Sequence, residues 1–219
     1  SSFSTLKLLY RGFKQTNNYK INMKTITLIT LFVGALAFIT NAYASVSANL
    51  GVNTEYFWRG QSQSAGEATV NGGMDYTAEN FYAGIWTSSM GDNLDSSNET
   101  DFYIGTEING FDVGYIRYEY TNTTAGAAKA LDFDEWYVGY SIQGFDLFYA
   151  VNADDSDLDY VSVSYGLPTV IEGVDASLTY GDDGSFDFIQ LDLTVSDVTL
   201  SVIDTDAGTQ TALSYGWAL

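Results

Sequence analysis

The sequence predicts an all-β chain that closes into an antiparallel up-and-down transmembrane β-barrel of about twelve strands. Three observations predict this fold class. Short runs from Ser45 onward alternate apolar and polar residues, tight turns alternate with longer polar loops, and no stretch keeps a helical period. Each strand then has one apolar face, and lipid is the natural cover because no helices are available. A soluble β-sandwich has the same alternation and is the alternative fold.

The first 44 residues precede this pattern and carry different signals. Met23 and Lys24 open an apolar run over residues 26–39, which Ala42, Tyr43 and Ala44 close. A charged start, an apolar centre and an A-x-A site predict a secretory signal peptide over residues 23–44. Residues 1–22 precede a plausible start methionine and are expected to be an unstructured upstream extension. The barrel domain is predicted over residues 45–219.

Charge and residue usage exclude several function classes. Five of the eight basic residues, and no acidic ones, precede Ser45, which leaves three basic residues against 28 acidic ones, a net charge of about −25. Nucleic acid is therefore excluded as a partner. The chain has no cysteine and no histidine, which removes thiolate chemistry, imidazole ligands and the Ser-His-Asp triad. We expect no cofactor and no enzymatic activity, with carboxylate-only hydrolysis as the remaining enzymatic alternative.

One phrase, Ile-x-Gly-apolar-Asp, recurs at residues 108–112, 142–146 and 171–175. A catalytic loop normally occurs once in a chain, so the repetition indicates a structural unit that is repeated along the chain. Glycine adopts the positive φ that a tight hairpin turn needs. The repeats predict two-residue turns at Asn109-Gly110, Gln143-Gly144 and Glu172-Gly173, and the apolar alternation predicts a fourth at Ser196-Asp197.

The turns divide the chain into strands whose two faces differ. In the second hairpin one face is wholly apolar, from Trp136 to Ile142 and from Phe145 to Val151, whereas small, aromatic and acidic residues share the other. The predicted strands are residues 45–58, 68–77, 81–88, 101–108, 111–120, 131–142, 145–151, 158–171, 174–180, 186–195, 198–203 and 209–219. The last strand alternates Leu213, Tyr215, Trp217 and Leu219, a pattern common in barrels that the outer-membrane assembly machinery inserts.

Residues 47–90 resemble the opening of the TorF family of bacterial porin-like proteins. The resemblance rests on Ser47-Ala48-Asn49, Glu55-Tyr56, Arg59-Gly60, Ser62-Gln63-Ser64, Gly72-Gly73, Asp75-Tyr76, Phe81-Tyr82-Ala83-Gly84, Trp86 and Ser88. It implies a Gram-negative outer-membrane barrel that conducts small solutes. Two departures are the N-terminal extension and the terminal Leu219, where such barrels usually end on an aromatic residue.

Charged residues on the non-apolar face are the candidates for lining a pore. The candidates are Glu55, Arg59, Asp75, Glu107, Asp112, Glu135 and Asp146. Arg59 is expected in the barrel mouth, paired with Glu55 or Asp75; the alternative is a structural ion pair that orders the first loop. Arg117 falls on the apolar face towards the loop side, where it can snorkel to headgroups.

The long loops are acidic and are predicted on the outer side of the barrel. Asp154, Asp155 and Asp157 are weak candidates for binding a divalent cation, because hard cations prefer carboxylates. Further loop acids are Asp92, Asp95, Glu99, Asp182 and Asp183. The alternative is that these loops are simply solvated.

The expected function is that of an outer-membrane porin. The chain would be exported by its signal peptide and lie in the lipid bilayer of the bacterial outer membrane. It would pass small solutes with a preference for cations, because its mouth is acidic. Two alternatives stay open: a non-conducting structural or adhesive barrel, and a soluble periplasmic β-sandwich that binds a ligand.

Overall fold

The computed structural model describes residues 44–91, 96–122, 132–153, 159–169 and 171–219. Within these ranges no helix is long and apolar enough to cross a membrane. The strands are β1 (Ala44–Asn53), β2 (Phe57–Trp58), β3 (Gln61–Ser62), β4 (Thr69–Ala78), β5 (Phe81–Ser89), β6 (Ser96–Ile108), β7 (Phe111–Asn122), β8 (Phe133–Ile142), β9 (Phe145–Asn152), β10 (Tyr160–Leu167), β11 (Asp175–Asp182), β12 (Asp187–Val195), β13 (Val198–Thr205) and β14 (Gly208–Ala218). The predicted upstream extension, residues 1–22, and the predicted signal peptide up to residue 43 lie outside the described residues.

Twelve of these strands form one closed antiparallel barrel. Strands β4 to β13 each pair with the next strand along the chain, and β1 pairs with both β4 and β14. Closure leaves no strand edge in the barrel wall unpaired. The prediction of an all-β closed barrel of about twelve strands is confirmed. The two-sheet sandwich is wrong, because the barrel is a single sheet.

Three of the four predicted hairpins have the predicted register. Ile108 pairs with Phe111, Ile142 with Phe145, and Val195 with Val198. Both turn residues have positive φ in the first two hairpins, 54° and 82° at Asn109-Gly110 and 52° and 82° at Gln143-Gly144. Positive φ at both positions is typical of a type I′ turn, whose twist matches that of the flanking strands.

The third hairpin differs from its prediction. The ladder ends where Leu167 pairs with Ala176, two residues out of the predicted register. A turn does form, since the Val174 N–H donates to the Ile171 carbonyl at 3.1 Å, but the ladder does not reach it. Pro168 directly follows β10 and has no N–H with which to continue a ladder. A shift of two residues leaves every side chain on its predicted face.

Two predicted strand boundaries are wrong at the loop side. The strand predicted over residues 45–58 ends at Asn53, and residues 57–62 form a separate hairpin of β2 and β3 that pairs with no barrel strand. The strand predicted to begin at residue 101 begins at Ser96. The β2–β3 hairpin and the additional first part of β6 both contribute side chains to the barrel interior.

The outward face of the barrel is an apolar belt. It exposes large aliphatic and aromatic side chains, among them Val46, Leu50, Met74, Ile85, Phe102, Val113, Leu147, Leu178 and Leu213. Aromatic pairs lie next to the tight turns: Tyr76 with Phe81, Phe111 with Tyr140, and Phe145 with Tyr165, at ring-centroid distances of 6.5, 4.6 and 4.5 Å. Aromatic girdles of this kind mark the interfaces of membrane barrels.

Candidate functional site

The first long connection of the barrel folds into the interior. After β1 the chain reverses at Arg59 and Gly60, whose φ values are 50° and 77°. Arg59 contacts Glu135 on β8, and Gly60 lies so close to Phe188 on β12 that an added Cβ would be 2.5 Å from its ring. In the ring of twelve strands, β8 is nearly opposite β1, and β12 is separated from β1 by β14 and β13. Residues 55–66, which we call the plug, therefore cross the lumen.

A buried ion pair fixes the tip of the plug. The Arg59 Nη1 and Nη2 atoms donate to the two carboxylate oxygens of Glu135 at 2.7 and 2.6 Å. The two side chains are only 10% and 1% exposed. The guanidinium also lies 4.2 Å from the Trp58 ring centroid and 4.1 Å from that of Tyr160, and the Tyr118 hydroxyl donates to Glu135 at 3.2 Å. A bidentate pair with these additional contacts is the geometry in which a buried ion pair is well satisfied.

Two apolar clusters hold the plug from either side. Phe57 packs against the cluster of Ala150, Tyr160, Phe188 and Ile203. Trp58 packs against the cluster of Met90, Tyr118 and Tyr120, with its ring centroid 6.0 Å from that of Phe133. Phe188 and Ile203 also point inward, although most of the other inward side chains are polar. They are 5% and 0% exposed. The plug explains their burial, because it supplies the apolar surface that they contact.

The plug is also bonded within itself. The Glu55 Oε1 atom accepts from the Ser62 hydroxyl at 2.6 Å and from the Gly66 N–H at 3.1 Å. The Tyr56 N–H donates to the Ser64 hydroxyl at 3.0 Å, and the Gln63 N–H donates to the Tyr56 carbonyl at 2.8 Å. These bonds satisfy backbone groups that a barrel interior would otherwise leave without partners. The plug is thus a folded element rather than a loose loop.

Two acidic side chains lie beside the plug on the inward face of β6. Glu99 and Asp101 are 1% and 7% exposed. The Tyr120 hydroxyl donates to the Glu99 Oε1 atom at 3.4 Å, and the hydroxyl of Tyr56 is also within hydrogen-bonding reach of Glu99. Burial raises the pKa of Tyr56 well above its usual value, and the charges of Glu99 and Asp101 add to that shift. Tyr56 therefore stays a neutral donor towards Glu99.

The half of the interior nearest the tight turns has a different lining. Tyr82 donates to Asp112 at 2.6 Å and contacts Tyr137, and Tyr103 donates to Asp75. Gly84, Gly105 and Gly114 stand beside these rings, which occupy the space that a Cβ would need. A cavity of about 440 Å³ lies at the seam of β1 and β14; its lining combines inward polar residues such as Asn49, Asn71 and Thr199 with the outward Leu50, Tyr215 and Trp217.

The predicted lining residues divide into barrel-wall residues and plug residues. Asp75, Glu107, Asp112, Glu135 and Asp146 stand at inward positions of their strands. Glu55 and Arg59 belong to the plug. The expected pairing of Arg59 with Glu55 or Asp75 is wrong, because the chain leaves β1 at Asn53 and carries Arg59 across the lumen to Glu135.

Two further expectations concern the rim. Arg117 lies on the outward face, where its side chain contacts Asp134 at 3.0 Å, Asp132 at 3.4 Å and Glu119 at 3.5 Å. The candidate cation ligands Asp154, Asp155 and Asp157 lie outside the described residues.

The expectation that Glu99 belongs to a solvated loop is wrong, because Glu99 is buried in the barrel interior. Extending the alternation of Asp101 and Tyr103 back by two residues would have placed it on the inward face.

A sequence comparison places the barrel in a bacterial family. The profile of the family described as bacterial protein of unknown function (Gcw_chp) matches residues 40–215. The chain belongs to this family. The matched range includes the plug and nearly the whole barrel wall. A search of curated proteins finds no match to the chain.

Proposed function

We propose that this chain is a channel of the bacterial outer membrane that passes small solutes, with a preference for cations, and that the plug closes its loop-side half. The observation that carries the proposal is the Arg59–Glu135 pair, which ties a lumen-crossing segment to the far wall. The channel needs no cofactor and performs no catalysis. The TorF resemblance of residues 47–90 is part of the same proposal.

The outward face supports the membrane location. Its apolar belt is continuous from strand to strand, and aromatic pairs border it at the tight-turn end. Lipid covers such a surface without a second layer of protein. Strand β14 adds exposed Leu213, Tyr215 and Trp217 to the same apolar belt.

The interior supports restricted conduction. Eight-stranded barrels are filled by side chains and barrels of sixteen strands are open, so twelve strands enclose a lumen of intermediate width. The plug and its two apolar clusters fill the loop-side half of the lumen, so any passage for solutes is narrow there. Carboxylates outnumber basic groups along the inward face, which favours cations.

Planar-bilayer recording of the refolded chain tests the proposal. We expect small conductance steps from the wild type, and at least severalfold larger ones when residues 55–66 are replaced by a Gly-Ser linker. Glu135→Gln, which removes the charge that holds Arg59, should open more often. Glu119→Gln, an exposed outward control, should leave conductance unchanged.

The second candidate function is a non-conducting structural barrel. The dense bonding of the plug favours it, because a segment fixed at so many points can serve only to fill the barrel. The plug-replaced variant separates the two functions. If correctly folded barrels without the plug show no discrete steps, the channel is refuted and the structural role stands.

A further inference from the structure

The buried acids beside the plug lack a compensating charge. The described residues contain two basic side chains, Arg59 and Arg117. Arg59 is hydrogen-bonded to both carboxylate oxygens of Glu135. Arg117 lies on the outward face, where it pairs with three other carboxylates. Glu99 and Asp101 therefore have no basic partner among the described residues. Burying two carboxylates without a counter-charge costs several kcal/mol for each, so something must neutralise them.

One oxygen of each carboxyl group is left unsatisfied. Glu99 Oε2 and Asp101 Oδ1 are buried and have no hydrogen-bond partner in the part of the chain that the structure describes. The two carboxyl groups also lie within hydrogen-bonding reach of each other. Ionised carboxylates only accept hydrogen bonds, so their approach is repulsive unless a positive species lies between them.

We infer that Glu99 and Asp101 form a binding site for a hard divalent cation inside the barrel, next to the plug. Two carboxylates offer oxygen ligands and a charge of −2, which match Ca²⁺ in both hardness and charge. The hydroxyl oxygens of Tyr56 and Tyr120 stand beside Glu99 and add neutral oxygen atoms to the surroundings. Ca²⁺ tolerates irregular sets of protein and water ligands better than Mg²⁺ does, so Ca²⁺ fits this irregular set of oxygen ligands better.

The position of the site gives the cation a structural consequence. Tyr56 belongs to the plug and its ring centroid lies 5.6 Å from that of Trp86 on β5, whereas Glu99 and Asp101 belong to β6 of the wall. A cation bound to the wall carboxylates would fix Glu99 in its orientation towards Tyr56. The plug would then be held at two places, by Arg59 at its tip and by the cation site near its start. This inference does not depend on whether the barrel conducts.

Calcium titration of the full refolded chain in detergent, after treatment with a chelator, tests the site. We expect saturable Ca²⁺ binding by calorimetry and a rise of several degrees in the unfolding temperature at millimolar Ca²⁺. Tb³⁺ should replace Ca²⁺ and show luminescence sensitised by the neighbouring Trp86 and Tyr56 rings. Glu99→Gln and Asp101→Asn, alone and together, should weaken binding at least tenfold while keeping side-chain volume.

The matched control is Glu107→Gln, which removes an exposed inward acid from the same strand and should bind Ca²⁺ as the wild type does. Heat-dependent gel migration shows that each variant is folded before it is titrated. The inference is overturned if the wild type binds no Ca²⁺, since the two carboxyl groups then share a proton instead. It is also overturned if Glu107→Gln loses as much affinity as the Glu99 and Asp101 variants.

Discussion

Arg59 and Glu135 are 76 positions apart in the sequence and meet through two hydrogen bonds of 2.7 and 2.6 Å in the barrel interior. This pair joins the first loop of the chain to the eighth strand. It is the ion pair between the plug and the wall, and it acts together with the Tyr56–Glu99 contact, the Gln61–Asp183 hydrogen bond and the two apolar clusters to position the plug in the lumen.

Removing one member of the pair should destabilise the barrel strongly. We expect Glu135→Ala to lower the free energy of unfolding by about 3–5 kcal/mol, because the buried guanidinium loses the carboxylate with which it pairs. Urea unfolding in lipid vesicles, followed by tryptophan fluorescence, measures the change. Arg117→Ala removes a partly exposed rim pair and should cost no more than about 1 kcal/mol. Equal losses in the two variants would show that the plug is not held by this pair.

A methyl group at the tip of the plug should disturb its contact with the far wall. Gly60→Ala introduces a Cβ against the Phe188 ring, whereas Gly66 has a similar positive φ and open space around it. Both substitutions should lower the free energy of unfolding by about 1 kcal/mol, because alanine is strained at a positive φ. Gly60→Ala should lower it by roughly 1–3 kcal/mol more, because the added Cβ overpacks the contact with Phe188. Thermal unfolding of the two variants compares them directly. If they are equally stable, Gly60 does not pack on Phe188.

Exchanging the first residues of two tight turns should change stability in opposite directions. Asn109 and Gln143 both have positive φ, 54° and 52°, and both precede a glycine. Asparagine tolerates this conformation better than glutamine does. Gln143→Asn should therefore stabilise the barrel, and Asn109→Gln should destabilise it, each by up to roughly 1 kcal/mol. Urea midpoints measured side by side would contradict the turn geometry if both variants shifted in the same direction.

A charge on the outward belt should be costly only if lipid covers it. Leu191 lies outward in the middle of β12, and its neighbour Gln190 lies inward, within 2.9 Å of Asp192. Leu191→Arg should cost about 2–4 kcal/mol in vesicles. Gln190→Arg should be tolerated, because Asp192 can pair with the new charge. Folding yields in vesicles compare the two, and a tolerated Leu191→Arg would argue against lipid contact at this height.

The faces of the strands and most turns could be predicted from the sequence, because both depend on near neighbours. Alternation assigns each side chain to a face by its position alone, and it assigns Asp75, Asp112 and Glu135 to the inward face. Asn109-Gly110 and Gln143-Gly144 form tight turns because positive φ is a local property of those residues. The turn at Glu172-Gly173 forms as predicted, but the register of its hairpin differs because Pro168 ends the ladder early.

The candidate site was only partly predictable, because it is made by contacts between distant parts of the chain. Arg59 was recognised as unusual, but its partner depends on where the plug lies after the barrel has closed. Phe188 and Ile203 are apolar residues at inward positions, and Phe57 of the plug packs against the cluster that contains them. The polar residues before Asp101 predict a loop for Glu99, because they lack the apolar alternation that marks a strand, although β6 begins at Ser96.

The amino-acid sequence by itself therefore determined that the chain is a twelve-stranded closed sheet with an apolar outer face, since alternation and turn chemistry act over a few residues. Only the tertiary structure decided what fills the interior. The plug reaches β8 and β12 because burying Phe57, Trp58 and Arg59 needs partners that no neighbouring residue supplies.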